Sequence, residues 1–206
     1  MEVASIYLNS LLSETAKKKA VSLHLTVGSQ PVWRISTELV PVPDTNIMTS
    51  DSLNQIIGVV LSEEEIVMLK EQKQLVIVKT IADAFRFRIN IFYQKRLPSL
   101  TFFYIPEHIS SISELLLPPI VADLARMHSG LLVISGTHGS GKTTTAASII
   151  EQINQTQKRR IISLEKPVEY SFVSKQSIIE QRQIGQDTPS FKDGIRMCLE
   201  EDVDVV

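Results

Sequence analysis

The residues from Gly136 to Thr143 read GTHGSGKT, a spacing suited to binding the phosphates of a nucleotide. This run matches the pattern G-x-x-x-x-G-K-[ST] in full. Glycines let the backbone curl so that its N–H groups converge on phosphate oxygens, and a following helix adds the positive end of its dipole. Lys142 supplies a point charge for the β- and γ-phosphates, and Thr143 offers a hydroxyl to Mg²⁺. The motif predicts a site for ATP and magnesium formed by Gly136, Thr137, His138, Gly139, Ser140, Gly141, Lys142, Thr143 and Thr144.

The segments around this phosphate loop predict a parallel sheet. The apolar run LLVIS, residues 131–135, precedes the loop and has no alternation, which is typical of a strand buried on both faces. A helix from Lys142 follows, and IISL is expected to be a second buried strand. Strand, helix and strand in this order indicate crossover helices on a parallel sheet. The alternative is a glycine-rich turn that matches the motif by chance, an event of about one in a hundred for such a chain.

An acidic position follows the second predicted strand. Glu169 lies in EKPVEY, residues 165–170, where the carboxyl end of a parallel strand borders the ligand. This carboxylate could polarise an attacking water or hold Mg²⁺ through a water. The alternative is a solvated charged loop after a strand.

The residues ahead of the phosphate loop read as a separate small α+β domain, residues 1–105. Its clearest strand is Ala84–Tyr93, where apolar and mostly polar residues alternate, as in a strand with one buried face. The following LTFFYI is expected to pair with it as a hairpin. Helices are predicted near Ser52–Leu61 and Glu63–Gln72, the second with a capping box from Ser62 to Glu65.

Three prolines mark a linker over residues 106–119, so that residues 120–206 form the domain with the phosphate loop. The arginines Arg86, Arg88 and Arg96 lie far from that loop in sequence. They either cover a solvated strand face or reach a nucleotide held by a neighbouring subunit, as arginine fingers do.

Composition excludes several classes of protein. The chain has 206 residues, 21 basic and 23 acidic, for a net charge of −2. It lacks the basic excess or stripe typical of nucleic-acid binding. No stretch approaches the roughly 18 apolar residues that a membrane span needs, so we expect no membrane insertion. Cys198 is the single cysteine, which excludes an intrachain disulfide.

Several segments at matching spacing resemble one family, the secretion and type IV pilus motor ATPases, especially the retraction (PilT-like) branch. SGLLVISGTHGSGKTTT resembles its R-G-L-[VI]-L-V-T-G-P-T-G-S-G-K-[ST]-T-T, and EKPVEY resembles its aspartate box, E-D-P-[IV]-E-[FY]. FRFRINIFYQKR resembles its R-[FY]-R-[VA]-N-x-[FY] strand. The segment QRQIGQDTPSFKDGIRMCLEEDVDVV resembles the stretch that leads into the Walker B strand.

The resemblance implies a PAS-like α+β N-terminal domain followed by the first half of a RecA-like P-loop ATPase domain, an α/β fold overall. It implies that Glu169 is the aspartate-box acid and that Asp204 is the first acid of the Walker B strand, near Mg²⁺. Arg86, Arg88 and Arg96 would contact nucleotide across subunit boundaries. The implied assembly is a cytoplasmic homohexamer, peripheral to the inner membrane, that acts on an inner-membrane pilus platform protein in pilus retraction (twitching motility) or type II secretion.

Departures from the family pattern leave alternatives open. Lys166 replaces the aspartate of the box, and Val206 ends the sequence ahead of the Walker B glutamate. We therefore expect a truncated motor ATPase that binds nucleotide with little or no turnover. The alternatives are a non-catalytic nucleotide-binding paralogue, an inactive fragment of such a motor, and a DNA-directed RecA-like ATPase, which the charge balance disfavours.

Overall fold

A computed structural model describes residues 2–81, 85–137 and 139–206 and shows a mixed α/β chain. The chain divides into two compact units, Met1–Pro106 and Glu107–Val206. In chain order the elements are α1 (Glu2–Lys17), β1 (Ser22–Thr26), β2 (Val32–Ile35), β3 (Glu38–Pro41), α2 (Ser50–Val60), α3 (Glu63–Gln72), β4 (Gln74–Ile81), β5 (Phe85–Gln94), β6 (Leu97–Ile105), α4 (Ile120–Leu124), α5 (Lys142–Thr156), β7 (Arg160–Glu165), β8 (Ile178–Gln183) and α6 (Phe191–Glu200).

The first unit is an antiparallel sheet with strand order β3-β2-β1-β6-β5-β4 and a core on one face. The alternation predicted for β5 is confirmed, because Phe87, Ile89 and Ile91 are buried. The hairpin partner is also confirmed, since β6 pairs with β5 along its whole length. Apolar residues of α1, α2 and α3 complete this core, among them Leu8, Leu12, Leu53, Ile56 and Leu69.

Hydrogen bonds at the helix starts fix where α2 and α3 begin. The predicted capping box of α3 is confirmed: Ser62 Oγ accepts from the Glu65 N–H, and Glu65 accepts from the Ser62 N–H at 2.8 Å. Lys79 of β4 donates to the same carboxylate at 2.6 Å, so the cap also ties α3 to the next strand. The helix α2 has an equivalent box between Thr49 and Ser52, which was not predicted from the sequence.

The second unit is built on two parallel strands, β7 and β8, with a helix on each face. On one face Ile161 and Ile179 pack with Ile149 and Ile153 of α5. On the other face α6 approaches closely, because a Cβ added to Gly194 would lie 2.9 Å from a methyl of Leu164. The predicted buried strand IISL is thus confirmed as part of β7.

The prediction that LLVIS is a buried strand is wrong. Residues 131–135 have no regular secondary structure, and Leu131 and Val133 are 87% and 72% exposed. A buried strand needs neighbours for its N–H and C=O groups, and the described residues pair no strand with this segment. The helix ahead of it, α4, is short and ends at Leu124. Among the described residues, no helix is both long and apolar enough to cross a membrane.

Candidate nucleotide-binding site

The phosphate loop leads directly into α5, and its glycines make that junction possible. Gly139 and Gly141 have φ values of +75° and +89°, a left-handed backbone that favours glycine. At Gly136 an added Cβ would lie 2.6 Å from Ser140 Oγ, so the loop closes around a position without a side chain. His138, a predicted member of the site, lies outside the described residues. The loop is therefore a tight, exposed turn at the N-terminus of a 15-residue helix.

Lys142 closes the loop on itself. Its Nζ donates to the carbonyl oxygens of Gly136 at 3.0 Å and Thr137 at 2.7 Å, and Ser140 Oγ donates to the same Thr137 oxygen at 2.9 Å. Phosphate oxygens are acceptors of the same kind with more negative charge, so Nζ can exchange these carbonyls for phosphate. Thr143 is exposed at the first turn of α5, where a hydroxyl ligand for Mg²⁺ is expected. These residues fit a magnesium-bound triphosphate.

The loop after β7, which carries Glu169, is docked against the start of α5. Tyr170 is buried, and its hydroxyl lies 3.2 Å from Thr144 Oγ1. Glu169 is the residue before it and is half-buried, whereas Lys166 is exposed. One cavity is lined by Lys142, Thr143, Glu165 and Tyr170 together with apolar residues of α5 and β7. The structure thus brings the predicted acidic loop and the phosphate loop to the same place.

Two glutamines of β8, not singled out from the sequence, hold this acidic loop. Gln181 Nε2 donates to Glu165 Oε1 at 3.0 Å and to the Tyr170 carbonyl at 2.8 Å, and its Oε1 accepts from the Phe172 N–H at 2.9 Å. Gln183 Oε1 accepts from the Val168 N–H at 3.1 Å. The only sequence signal was their spacing of two, which places both side chains on one face of a strand.

The next part of the same loop is held by α5. Asn154 is fully buried; its amide donates to the Val173 carbonyl at 2.9 Å and accepts from the Lys175 N–H at 2.9 Å. Glu151, one turn earlier, binds Lys175 Nζ and Asn154. Burial alone would raise the pKa of Glu151, but hydrogen bonds from Lys175, Asn154 and Gln155 bring it below its ordinary value. This polar cluster was also missed, since its members look like surface residues of a helix.

Asp204, the predicted Walker B acid, is held at the start of β7. Its carboxylate accepts from the Arg160 N–H at 2.8 Å and from Arg159 at 3.2 Å, and these hydrogen bonds lower its pKa. Arg160 begins β7 and Glu165 ends it, and five residues of strand span about 16 Å. Thr143 shares a cavity with Glu165, which ends β7, and the same cavity is lined by Ile161 and Val205, next to Arg160 and Asp204. Within the described residues, no group of three or more His, Cys, Asp or Glu could hold a metal ion.

The three arginines fall into two separate places in the first unit. Arg86 and Arg88 lie on the polar face of β5, where the Arg88 guanidinium stacks over the Phe103 ring at 4.4 Å. Arg96 is exposed in the two-residue turn between β5 and β6, with a φ of +67°. Six residues of strand from Arg88 to Gln94 span about 20 Å, and Arg96 lies beyond Gln94 in the turn. The two places therefore cannot meet at one phosphate.

Comparison with known proteins finds similarity to secretion and pilus proteins along most of the chain. Residues 117–206 match the family model described as type II/IV secretion system protein. The twitching motility protein of Neisseria gonorrhoeae is 32% identical over 77% of this chain and 42% of its own length. The type IV pilus retractation ATPase PilT of Pseudomonas aeruginosa is 27% identical over 97% of this chain and 58% of its own.

A solved structure is similar in both fold and sequence. The crystal structure of the pilus retraction motor PilT with bound ADP superposes with a TM-score of 0.84 at 35% identity, over 96% of this chain and 58% of that one. The chain thus spans about half the length of the relatives it matches. Similarity to these pilus ATPases extends over nearly all of the chain, and residues 117–206 match the type II/IV secretion system protein family.

Proposed function

We propose that this chain is the nucleotide-binding part of a motor ATPase of the type IV pilus or type II secretion machinery, with pilus retraction as its task. The observation that supports this most is the contact between Tyr170 and Thr144, which docks an acidic loop against a complete phosphate loop. The similar structure was solved with ADP, a nucleotide of the class that this loop suits. In this proposal the first unit is a PAS-like domain and the second is part of a RecA-like ATPase domain.

Each residue of the site has a distinct role in the proposed reaction. Lys142 moves from the loop carbonyls to the β- and γ-phosphates, while the loop N–H groups and the α5 dipole hold the remaining charge. Thr143 would hold Mg²⁺, which supplies charge neutralisation at the phosphates when bound. Glu169 orients the attacking water and accepts its proton. Arg159 and Arg160 bind Asp204 at the start of β7, so in this proposal Thr143, and not Asp204, is the direct protein ligand of Mg²⁺.

The assembly that we propose is a cytoplasmic homohexamer that acts on a platform protein of the inner membrane. In such a ring Arg86 and Arg88, which share one strand face, would reach a nucleotide held by the adjacent subunit. Arg96 lies too far along the hairpin to reach the same phosphates, so we assign it to a different contact of that interface.

A second candidate function is nucleotide binding without hydrolysis, as in a regulatory paralogue. The observation that favours it is Lys166, a cation in the acidic loop directly after Glu165. A positive charge there would compete with Mg²⁺ and with the attacking water for Glu169. Hydrolysis by a Lys166→Asp variant of a chain that binds but does not hydrolyse ATP would support this second function.

The test of the proposed function is a titration of the chain with fluorescent ATP in the presence of Mg²⁺. Lys142→Ala removes the cation of the phosphate loop, and we expect affinity to fall by at least about a hundredfold, since hydrogen bonds to charged groups contribute about 1.5–3 kcal/mol each. The control is Lys158→Ala, an equal loss of charge at an exposed position near the end of α5. Equal affinity of the two variants would contradict the assignment of the loop.

A further inference from the structure

We propose that Gln181 and Gln183 are positioning residues that set the location of Glu169 relative to the phosphate loop. This inference rests on the proposed function, in which Glu169 orients the attacking water. The two side chains occupy one face of β8 and together hold the acidic loop on both sides of Glu169. Val168, the residue before Glu169, is bound by Gln183, and Tyr170, the residue after it, is bound by Gln181.

The hydrogen bonds of Gln181 require an amide. Both hydrogens of Nε2 are used, one toward the Glu165 carboxylate and one toward the Tyr170 carbonyl, while Oε1 accepts from the Phe172 N–H. Only a group with two donors and an acceptor can make this set. A carboxylate at this position would keep the bond to Phe172 but would face Glu165 and a carbonyl oxygen without a proton to share.

The hydrogen bond of Gln183 requires only an acceptor. Its Oε1 accepts from the Val168 N–H, and a carboxylate oxygen can take the same place. The same change, Gln to Glu, should therefore disrupt the hydrogen bonds at Gln181 and preserve the one at Gln183. A role in packing alone would not produce this difference, because the two side chains have the same size and lie two residues apart on one strand face.

The acidic loop held by the two glutamines also contacts the helix that follows the phosphate loop. Tyr170 contacts Thr144 through its hydroxyl, so a shift of the Tyr170 backbone also moves the side chain that joins the acidic loop to α5. Two hydrogen bonds, from Gln181 to Tyr170 and between Tyr170 and Thr144, thus link β8 to the first turn of the nucleotide-binding helix. Glu169 lies inside this linked segment, with its neighbours on both sides held.

The experiment measures amide exchange of the segment 166–172 in four variants, Gln181→Met, Gln181→Glu, Gln183→Met and Gln183→Glu, first without nucleotide. We expect both Met variants and Gln181→Glu to raise exchange in this segment about tenfold, which corresponds to loss of a hydrogen bond. Gln183→Glu should exchange like the parent. The amides of β7 serve as an internal control, and if a Met variant unfolds the unit, the two Glu variants decide the question alone.

Equal exchange of the acidic loop in Gln181→Glu and Gln183→Glu would overturn the proposal. A second measurement adds Mg·AMP-PNP at saturation. We expect added protection of residues 166–172 in the parent and in Gln183→Glu, and none in Gln181→Glu, with nucleotide affinities within about threefold because the phosphate loop is intact. If the parent binds no nucleotide, the proposed function fails, whereas the comparison without nucleotide still tests the positioning role.

Discussion

The Tyr170 hydroxyl lies 3.2 Å from Thr144 Oγ1, so the loop that carries Glu169 is joined directly to the helix that follows the phosphate loop. Tyr170 is 8% exposed, and its carbonyl is bound by Gln181. A buried hydroxyl that loses its partner costs free energy, so this pair should keep its geometry when the helix moves. A shift of the first turn of α5 on binding nucleotide would then be transmitted to Glu169.

Our first prediction concerns the energy of this contact. We expect Tyr170→Phe and Thr144→Val each to lower the stability of the second unit by about 0.5–1.5 kcal/mol, because each removes one hydroxyl and leaves the other unpaired. The double variant should cost less than the sum, with a coupling of about 0.5–1 kcal/mol. Native-state exchange of β7 amides gives these values, and the fluorescence of Trp33, the single tryptophan, reports on the first unit as a control. Strict additivity would contradict a direct contact.

Our second prediction concerns acid stability of the second unit. Hydrogen bonds from Lys175, Asn154 and Gln155 outweigh burial and hold the pKa of Glu151 below its ordinary value of 4.5. A group with a lowered pKa in the folded state stabilises the protein above the unfolded pKa, and this contribution is lost as pH falls through the folded value. The unit should therefore lose stability progressively below about pH 4.5.

The matched variants for this test are Glu151→Gln and Glu200→Gln, which remove a carboxylate at a buried and at an exposed position of the same unit. Glu151→Gln should be less stable than the parent at pH 7 and should show a smaller loss between pH 5 and pH 3, measured by exchange of β7 amides. Glu200→Gln should follow the parent. If Glu151→Gln lost as much stability as the parent between pH 5 and pH 3, another group would control the transition.

The elements predicted correctly are those whose sequence pattern arises from contacts between residues that are close in sequence. The capping box at Ser62 and the alternation in β5 each reflect contacts within a few residues, and both are confirmed. The run LLVIS was misread because an apolar segment forms a strand only where neighbouring strands accept its backbone, and such neighbours are set by distant parts of a chain. The strand β4 was missed, since its alternation is incomplete at a sheet edge.

The candidate site was predictable only where a motif specifies it. The spacing of the glycines and Lys142 identified the phosphate loop, but nothing in IIEQRQ indicates a strand, because β8 uses polar side chains to hold a loop. The position of Asp204 could not be inferred either. Its bonds to Arg159 and Arg160 join residues more than forty positions apart, and only the parallel arrangement around β7 brings them together.

Our third prediction concerns the turn between β5 and β6. Lys95 and Arg96 have φ values of +49° and +67°, the left-handed pair of a type I′ turn, in which glycine is favoured at the second position. We expect Arg96→Gly to raise the stability of the first unit by about 0.5–1 kcal/mol, since relief of left-handed strain exceeds the added chain entropy. Chemical denaturation followed by Trp33 fluorescence measures this. Gln94→Gly, at the exposed end of β5, should instead lower stability by a similar amount.

Our last prediction concerns the protection of the phosphate loop and the segment before it. Residues 131–135 have no regular secondary structure, and the described loop residues from Gly136 to Ser140 are exposed, so their amides should exchange close to the rate of an unfolded chain. The amides of β5 and β7, which are paired within sheets, should exchange far more slowly.

Adding Mg·ATP should protect the loop selectively, because its N–H groups become donors to phosphate oxygens. We expect slower exchange at Gly141, Lys142 and Thr143 in the parent and no change in Lys142→Ala, as read by NMR or by mass spectrometry of peptides. Residues 131–135 should stay fast in both proteins, since nucleotide supplies no partner strand for their backbone. Slow exchange of LLVIS without nucleotide would show that this segment is paired in solution, and the predicted strand would then be restored.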